Sequence, residues 1–143
     1  MPSVASLKAQ AYYAHPRNRF WPVVGALFGF DANASYNARL GAYIAVGGAL
    51  WDTIGSCERT GSLDSAILRP EPNPIGAFLT QHHTIRKVLL NGSLAHRMWL
   101  RHVVPTLSAT LSIDVLAMPS TSPANARWTL PKLIDVWRQG LFD

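Results

Sequence analysis

From Tyr12 to Trp21 the chain reads Tyr-Tyr-Ala-His-Pro-Arg-Asn-Arg-Phe-Trp, which puts four aromatic rings, two guanidinium groups, an imidazole and an amide within ten residues. Flat rings can hold nucleobases by stacking, and guanidinium groups can grip phosphates with paired hydrogen bonds. The same composition also suits a rim where aromatics pack beneath a loop. A second segment, Met118-Pro119-Ser120-Thr121-Ser122-Pro123-Ala124-Asn125-Ala126, combines stiffening prolines with a run of hydroxyls. Hydroxyls and backbone N–H groups can take phosphate oxygens without bringing charge. An ordinary turn-rich connection ahead of a helix would read the same way. Asn91 follows the apolar run Val88-Leu89-Leu90. Its amide carries both donors and an acceptor, so it could read a base edge or simply end a strand.

Other polar clusters point less clearly to chemistry. His82 and His83 are adjacent, so their rings point apart, whereas a helical metal pair needs i, i+4 spacing. A surface or capping role is expected, and no metal site. Cys57 is the single cysteine, which excludes an internal disulfide and a thiolate metal cluster. No histidine is locally paired with Cys57-Glu58-Arg59, so an inert thiol is expected. Arg97, Arg101 and His102 share one face of a helix, either a phosphate-facing stripe or a solvated surface. Two glycosylation-like triplets, beginning at Asn33 and Asn91, are read as chance.

The elements that must position these groups follow from composition and pattern. The 143 residues are 48% hydrophobic and only 15% charged, which supports one domain with a buried core and excludes a disordered chain. Thirteen Lys and Arg against eight Asp and Glu leave a formal charge of +5, spread along the chain, so a positive face must be assembled by folding. The apolar stretch from Leu40 to Trp51 is far shorter than the roughly 20 residues a membrane span requires. Met1-Pro2-Ser3-Val4 lacks the pattern of a secretory signal. A soluble, cytoplasmic protein is expected.

Pattern and capping signals predict a helix over 18–29 with Pro22 in its first turn, and a second over 35–47. A strand is predicted over 49–54, between Gly48 and Gly55. A helix should then open with Asn73 as its cap and Pro74 at its first position. Strand 86–90, helix 93–102, strand 112–117 and helix 130–140 complete the series. Alternating helices and apolar strands imply parallel pairing and an α/β layered sheet. Ligands of such sheets sit beyond the carboxyl ends of the strands. Here those ends carry Ser56-Cys57-Glu58-Arg59, Asn91-Gly92 and the loop from Pro119.

The runs YYAHPRNRFWPVVGALFG, ALWDTIGSCERTGSLDSAI, VLLNG and MPSTSPANA, in this order along nearly the whole chain, resemble the hypoxanthine-DNA glycosylase branch of the uracil-DNA glycosylase superfamily. The resemblance implies a three-layer α/β/α sandwich around a parallel sheet of about four strands. It also implies hydrolysis of the N-glycosidic bond of a deaminated base, hypoxanthine or uracil, flipped out of double-stranded DNA, by a monomer without metal or redox cofactor. Asn18 resembles the branch's catalytic asparagine, whose amide carbonyl would orient a water. Tyr13 or Phe20 would stack on the extruded base, and Asn91 resembles the base-reading asparagine. Arg17, Pro119, Ser120, Thr121, Ser122 and Asn125 would contact DNA. Such a reaction passes through an oxocarbenium-like sugar and needs little nucleophilic activation.

Two departures stand out. Other branches have a histidine where this chain has Met118. The branch also begins with an apolar strand and a Gly-(Ser/Thr)-Met-Pro-Gly turn, of which Met1-Pro2-Ser3 matches only the tail. The expectation drawn from this is that the functional protein starts further upstream. ALWDTIGSCER is also similar to mismatch-specific uracil/thymine glycosylases. The competing expectation is a truncated, inactive paralogue that binds DNA without catalysis.

Overall fold

The computed structural model describes residues 12–13, 16–51, 54–58, 68–108 and 111–143, with backbone alone for 54–58 and 68–72. Met1-Pro2-Ser3, His15, Asp52, Thr53 and Arg59 lie outside the described residues. The chain gathers into two compact units, one from residues 52–118 and the other from residues up to 51 together with 119–143.

The discontinuous unit is helical. Helix α1 (Phe20–Phe28) carries Pro22 in its first turn, where a missing N–H costs nothing, and ends at Gly29 with φ +78°. Helix α2 (Tyr36–Ala45) starts at Ser35, whose Oγ accepts the N–H of Ala38 at 3.2 Å. Helix α5 (Leu130–Phe142) is capped by Thr129 and buries Leu133, Trp137 and Gly140 along one face. Spacing by four and then three residues aligns such side chains on a helix. They meet Phe20, Trp21, Val23 and Val24 of α1, each 2% exposed or less. Phe20 packs edge-on against Trp21, Tyr43 and Trp137. Burying each such ring removes apolar surface worth about 1.5–3 kcal/mol. The Tyr43 phenol is desolvated among them, which raises its pKa above the ordinary tyrosine value.

The other unit holds both pairs of strands. β3 (Lys87–Asn91) and β4 (Asp114–Met118) run parallel, in register from Lys87 opposite Asp114 to Asn91 opposite Met118. They are joined through α4 (Ser93–Met98), a π turn (Trp99–Val103) and a 3₁₀ turn (Val104–Thr106). Leu79, Leu90, Trp99 and Val103 form the core, with α3 (Ile75–Gln81) packed over it. The expected parallel α/β pairing is present here, although among the described residues this sheet has two strands rather than about four.

Several boundaries differ from expectation. The strand expected at 49–54 is instead β1 (Ile54–Glu58), paired antiparallel with β2 (Leu68–Pro72). Ala49–Trp51 has no regular structure. Ser56-Cys57-Glu58 therefore lies within an antiparallel strand and not at the mouth of a parallel one. Prolines 70 and 72 are tolerated in β2 because a two-stranded pair consists of edges. Pro74 is itself the cap residue of α3, one place later than expected, and Asn73 stands outside the cap. A π turn follows Met98. Arg97 and Arg101 are exposed, while His102 is partly buried with Nε2 lacking a hydrogen bond.

Candidate active site

The discontinuous unit brings Asn18 and the 119–129 loop together. Asn18 sits two residues ahead of α1 and turns its side chain back on the chain, so that Oδ1 accepts the Phe20 N–H at 2.9 Å. Short Asn side chains commonly close such turns at helix starts. The same oxygen accepts the Thr121 hydroxyl at 3.0 Å, from 103 residues further along the chain. Thr121 is 0% exposed, so water does not compete for that hydroxyl. Its side chain is not presented on a surface, which corrects the expectation that it touches DNA.

Arg19 holds the rest of the loop. Its backbone N–H donates to the Thr121 carbonyl at 3.0 Å. Its guanidinium donates to the carbonyls of Thr121 (3.4 Å), Ser122 (2.8 Å), Asn125 (3.1 Å) and Trp128. Guanidinium presents five donors in a rigid fork, which suits a group of converging carbonyls better than a lysine would. The loop also closes on itself. Asn125 Nδ2 donates to the Ser120 carbonyl at 3.0 Å, Ser120 Oγ accepts from Ser122 N, and Ser122 Oγ accepts from Ala124 N. Trp137 Nε1 donates to the Pro119 carbonyl at 3.2 Å and anchors the loop's start to α5. Asn125 is thus a brace within the loop, while Ser120, Ser122 and Pro119 remain partly exposed on it.

The aromatic pair is resolved by burial. Phe20 is 2% exposed and cannot offer a face to a ligand, contrary to expectation. One of its faces is covered by Tyr13, whose ring lies 4.2 Å away at 23°. Tyr13 is half-buried and adopts φ +56°, a left-handed conformation that bulky residues rarely hold. Arg17 is exposed. Tyr13, Arg17, Asn18 and the loop residues 119–125 therefore belong to one unit.

Asn91 belongs to the other unit, as the last residue of β3. Gly92 follows it with φ +97° and ψ 170°, a region essentially restricted to glycine. The Gly92 N–H donates to the Met118 carbonyl at 3.1 Å, which tethers the strand end to β4. Met118 is buried, 7% exposed. His82 caps α3 as expected, donating from Nδ1 to the Phe78 carbonyl at 2.8 Å. Among the described residues no group of three His, Cys, Asp or Glu converges as a metal site would require. No described helix is long and apolar enough to cross a membrane.

Arg19 is the residue that sequence reasoning missed. It stands beside Arg17 in the same motif, and one is exposed while the other turns inward. Nothing local marks the difference, because Arg19's acceptors lie more than 100 residues away.

No family profile matches the chain. Two curated proteins do. A hypoxanthine DNA glycosylase of Methanosarcina barkeri is 31% identical over 93 residues, 64% of this chain and 59% of that protein. A hypoxanthine DNA glycosylase of Methanosarcina acetivorans is 28% identical over 130 residues, 90% of this chain and 78% of that protein. A solution NMR structure of a candidate uracil DNA glycosylase from Methanosarcina acetivorans superposes with a TM-score of 0.77 at 27% identity, covering 96% of this chain and 84% of that one. The chain is thus similar in sequence to two hypoxanthine DNA glycosylases and in fold to a candidate uracil DNA glycosylase. The structural likeness covers 96% of this chain and so reaches both units.

Proposed function

We propose that this chain is a monofunctional DNA glycosylase that removes a deaminated base, hypoxanthine first and uracil second, from double-stranded DNA. Asn18 carries the reading. It is a part-exposed amide locked at Oδ1 by two donors, beside a prefolded loop, in a chain related to hypoxanthine DNA glycosylases.

In this reading Arg17 and the exposed parts of Pro119, Ser120 and Ser122 meet phosphates. The prefolded loop enters the groove at little ordering cost, because Arg19 and Asn125 have already fixed it. Extruding a nucleotide costs a few kcal/mol, and less at a poorly paired base. The outer face of Tyr13 offers the stacking surface that buried Phe20 cannot. The C1′–N bond then breaks toward an oxocarbenium-like sugar, with Asn18 at the reacting centre and water adding to C1′. Asn91 reads the edge of the base. The protein acts as a monomer on DNA.

Incubation with inosine- and uracil-containing duplexes, followed by alkali, tests this directly. The damaged strand should be nicked by the wild-type chain, and Asn18→Ala should abolish nicking while keeping duplex affinity. Binding without nicking by the wild type would instead support a DNA-binding module.

A further inference from the structure

We infer that Asn18 meets the reacting nucleotide through its amide N–H₂ and not through its carbonyl, and that Thr121 is the positioning residue that fixes this orientation. The inference rests on the glycosylase reading above and specifies which end of the amide acts. A carbonyl oxygen has two lone-pair directions, and the Phe20 N–H and the Thr121 hydroxyl take both. The Phe20 N–H can only donate, so the oxygen must face the helix start; a flipped amide would set N–H against N–H. Thr121 holds the other side from a fully buried position, and its own backbone carbonyl is clamped by the Arg19 N–H and Nε. The amide plane is thus fixed both from within its own turn and from the far loop. Among the described residues Nδ2 has no protein partner, while Asn18 is partly exposed.

That geometry makes Asn18 a donor. In the hydrolysis the C1′–N bond breaks with its electron pair going to the base, the water oxygen bonds to C1′, and one water proton ends on the departed base. Asn18 transfers no proton. Its N–H donates to a lone pair on the departing base, where negative charge develops, or on the attacking water.

Asn18→Asp separates donor from acceptor, because a carboxylate keeps both contacts at the oxygen and loses the N–H₂. In single-turnover excision from an inosine duplex at neutral pH, the variant should fall at least about 100-fold, as far as Asn18→Ala. Its rate should then climb as pH falls toward about 4, where a protonated carboxyl regains an O–H donor. Wild-type rates at neutral pH, or a rate that rises with pH, would overturn the inference. Thr121→Val keeps the volume and removes the hydroxyl. It should slow excision about tenfold with unchanged duplex affinity, and Thr121→Ser should restore the rate. An unaffected Thr121→Val would remove Thr121 from this role. If the loss in Asn18→Ala grows with the basicity of the leaving base, the acceptor is the base; equal losses on hypoxanthine and uracil assign it to the water. Failure of the wild type to excise any base would overturn the glycosylase reading itself, whereas an active wild type with an equally active Asn18→Asp overturns this inference alone.

Discussion

The two asparagines singled out by the sequence are held by different means. Asn91 is placed by its own neighbourhood: it ends β3, and Gly92 turns the chain into α4 with a backbone conformation other residues avoid. Asn18 is placed by partners far along the chain, through Thr121 and through the loop that Arg19 gathers. A locally placed residue tolerates change elsewhere but not in its own turn. A remotely placed one fails when any member of its polar network is lost, because each member leaves other buried groups without partners.

The largest expected effect follows from that contrast. Arg19→Ala strips four carbonyls of a charged donor and should lower the stability of the whole chain by about 3 kcal/mol or more, read from the denaturant midpoint. Arg19→Lys should recover less than half of the loss, since an ammonium cannot reach several carbonyls in a plane. Full recovery by lysine would mean that the charge matters and the fork does not. On the other side of the comparison, Gly92→Ala should cost about 1–3 kcal/mol by forcing a side chain into the conformation at φ +97°. That change strikes the turn that places Asn91 and leaves the Asn18 network intact, so below the melting transition Thr121→Val should slow excision by the same factor with or without it.

These contrasts also mark what could be read from the sequence. Helices α1, α2 and α5 were legible because their apolar spacing, the proline in the first turn of α1 and the Ser35 start of α2 are local signals. The β3–β4 pair was legible as short apolar runs bounding a helix. The strand around Ile54 was misplaced because Ala49-Leu50-Trp51 is as apolar as a strand, and its antiparallel partner carries two prolines that disguise it. In the candidate site, the residue types announced Asn18 and the loop. They did not announce that Phe20 is buried under Tyr13 or that Thr121 turns inward, since both depend on packing against residues distant in sequence. The difference between Arg17 and Arg19 has the same origin.

Smaller effects sharpen the picture of the helical unit. Ser35→Ala should destabilise by about 1 kcal/mol through loss of the α2 cap, without touching excision. Tyr43 tests its core from another direction. Burial raises its pKa above 10.0, so the stability it lends is complete below pH 10 and is lost as pH rises through the higher folded value. Tyr43→Phe should therefore move the alkaline unfolding midpoint upward, while an unchanged midpoint would show that the phenol is not confined in the core.

The central claim concerns one amide, and the most direct measurement is the pre-steady-state release of free hypoxanthine from an inosine duplex bound to saturation by wild type and by Asn18→Ala. Release by the wild type, with at least about a hundredfold loss in the variant at equal occupancy, is the result predicted here. Equal release by both proteins, or none by the wild type although the duplex is bound, would contradict it.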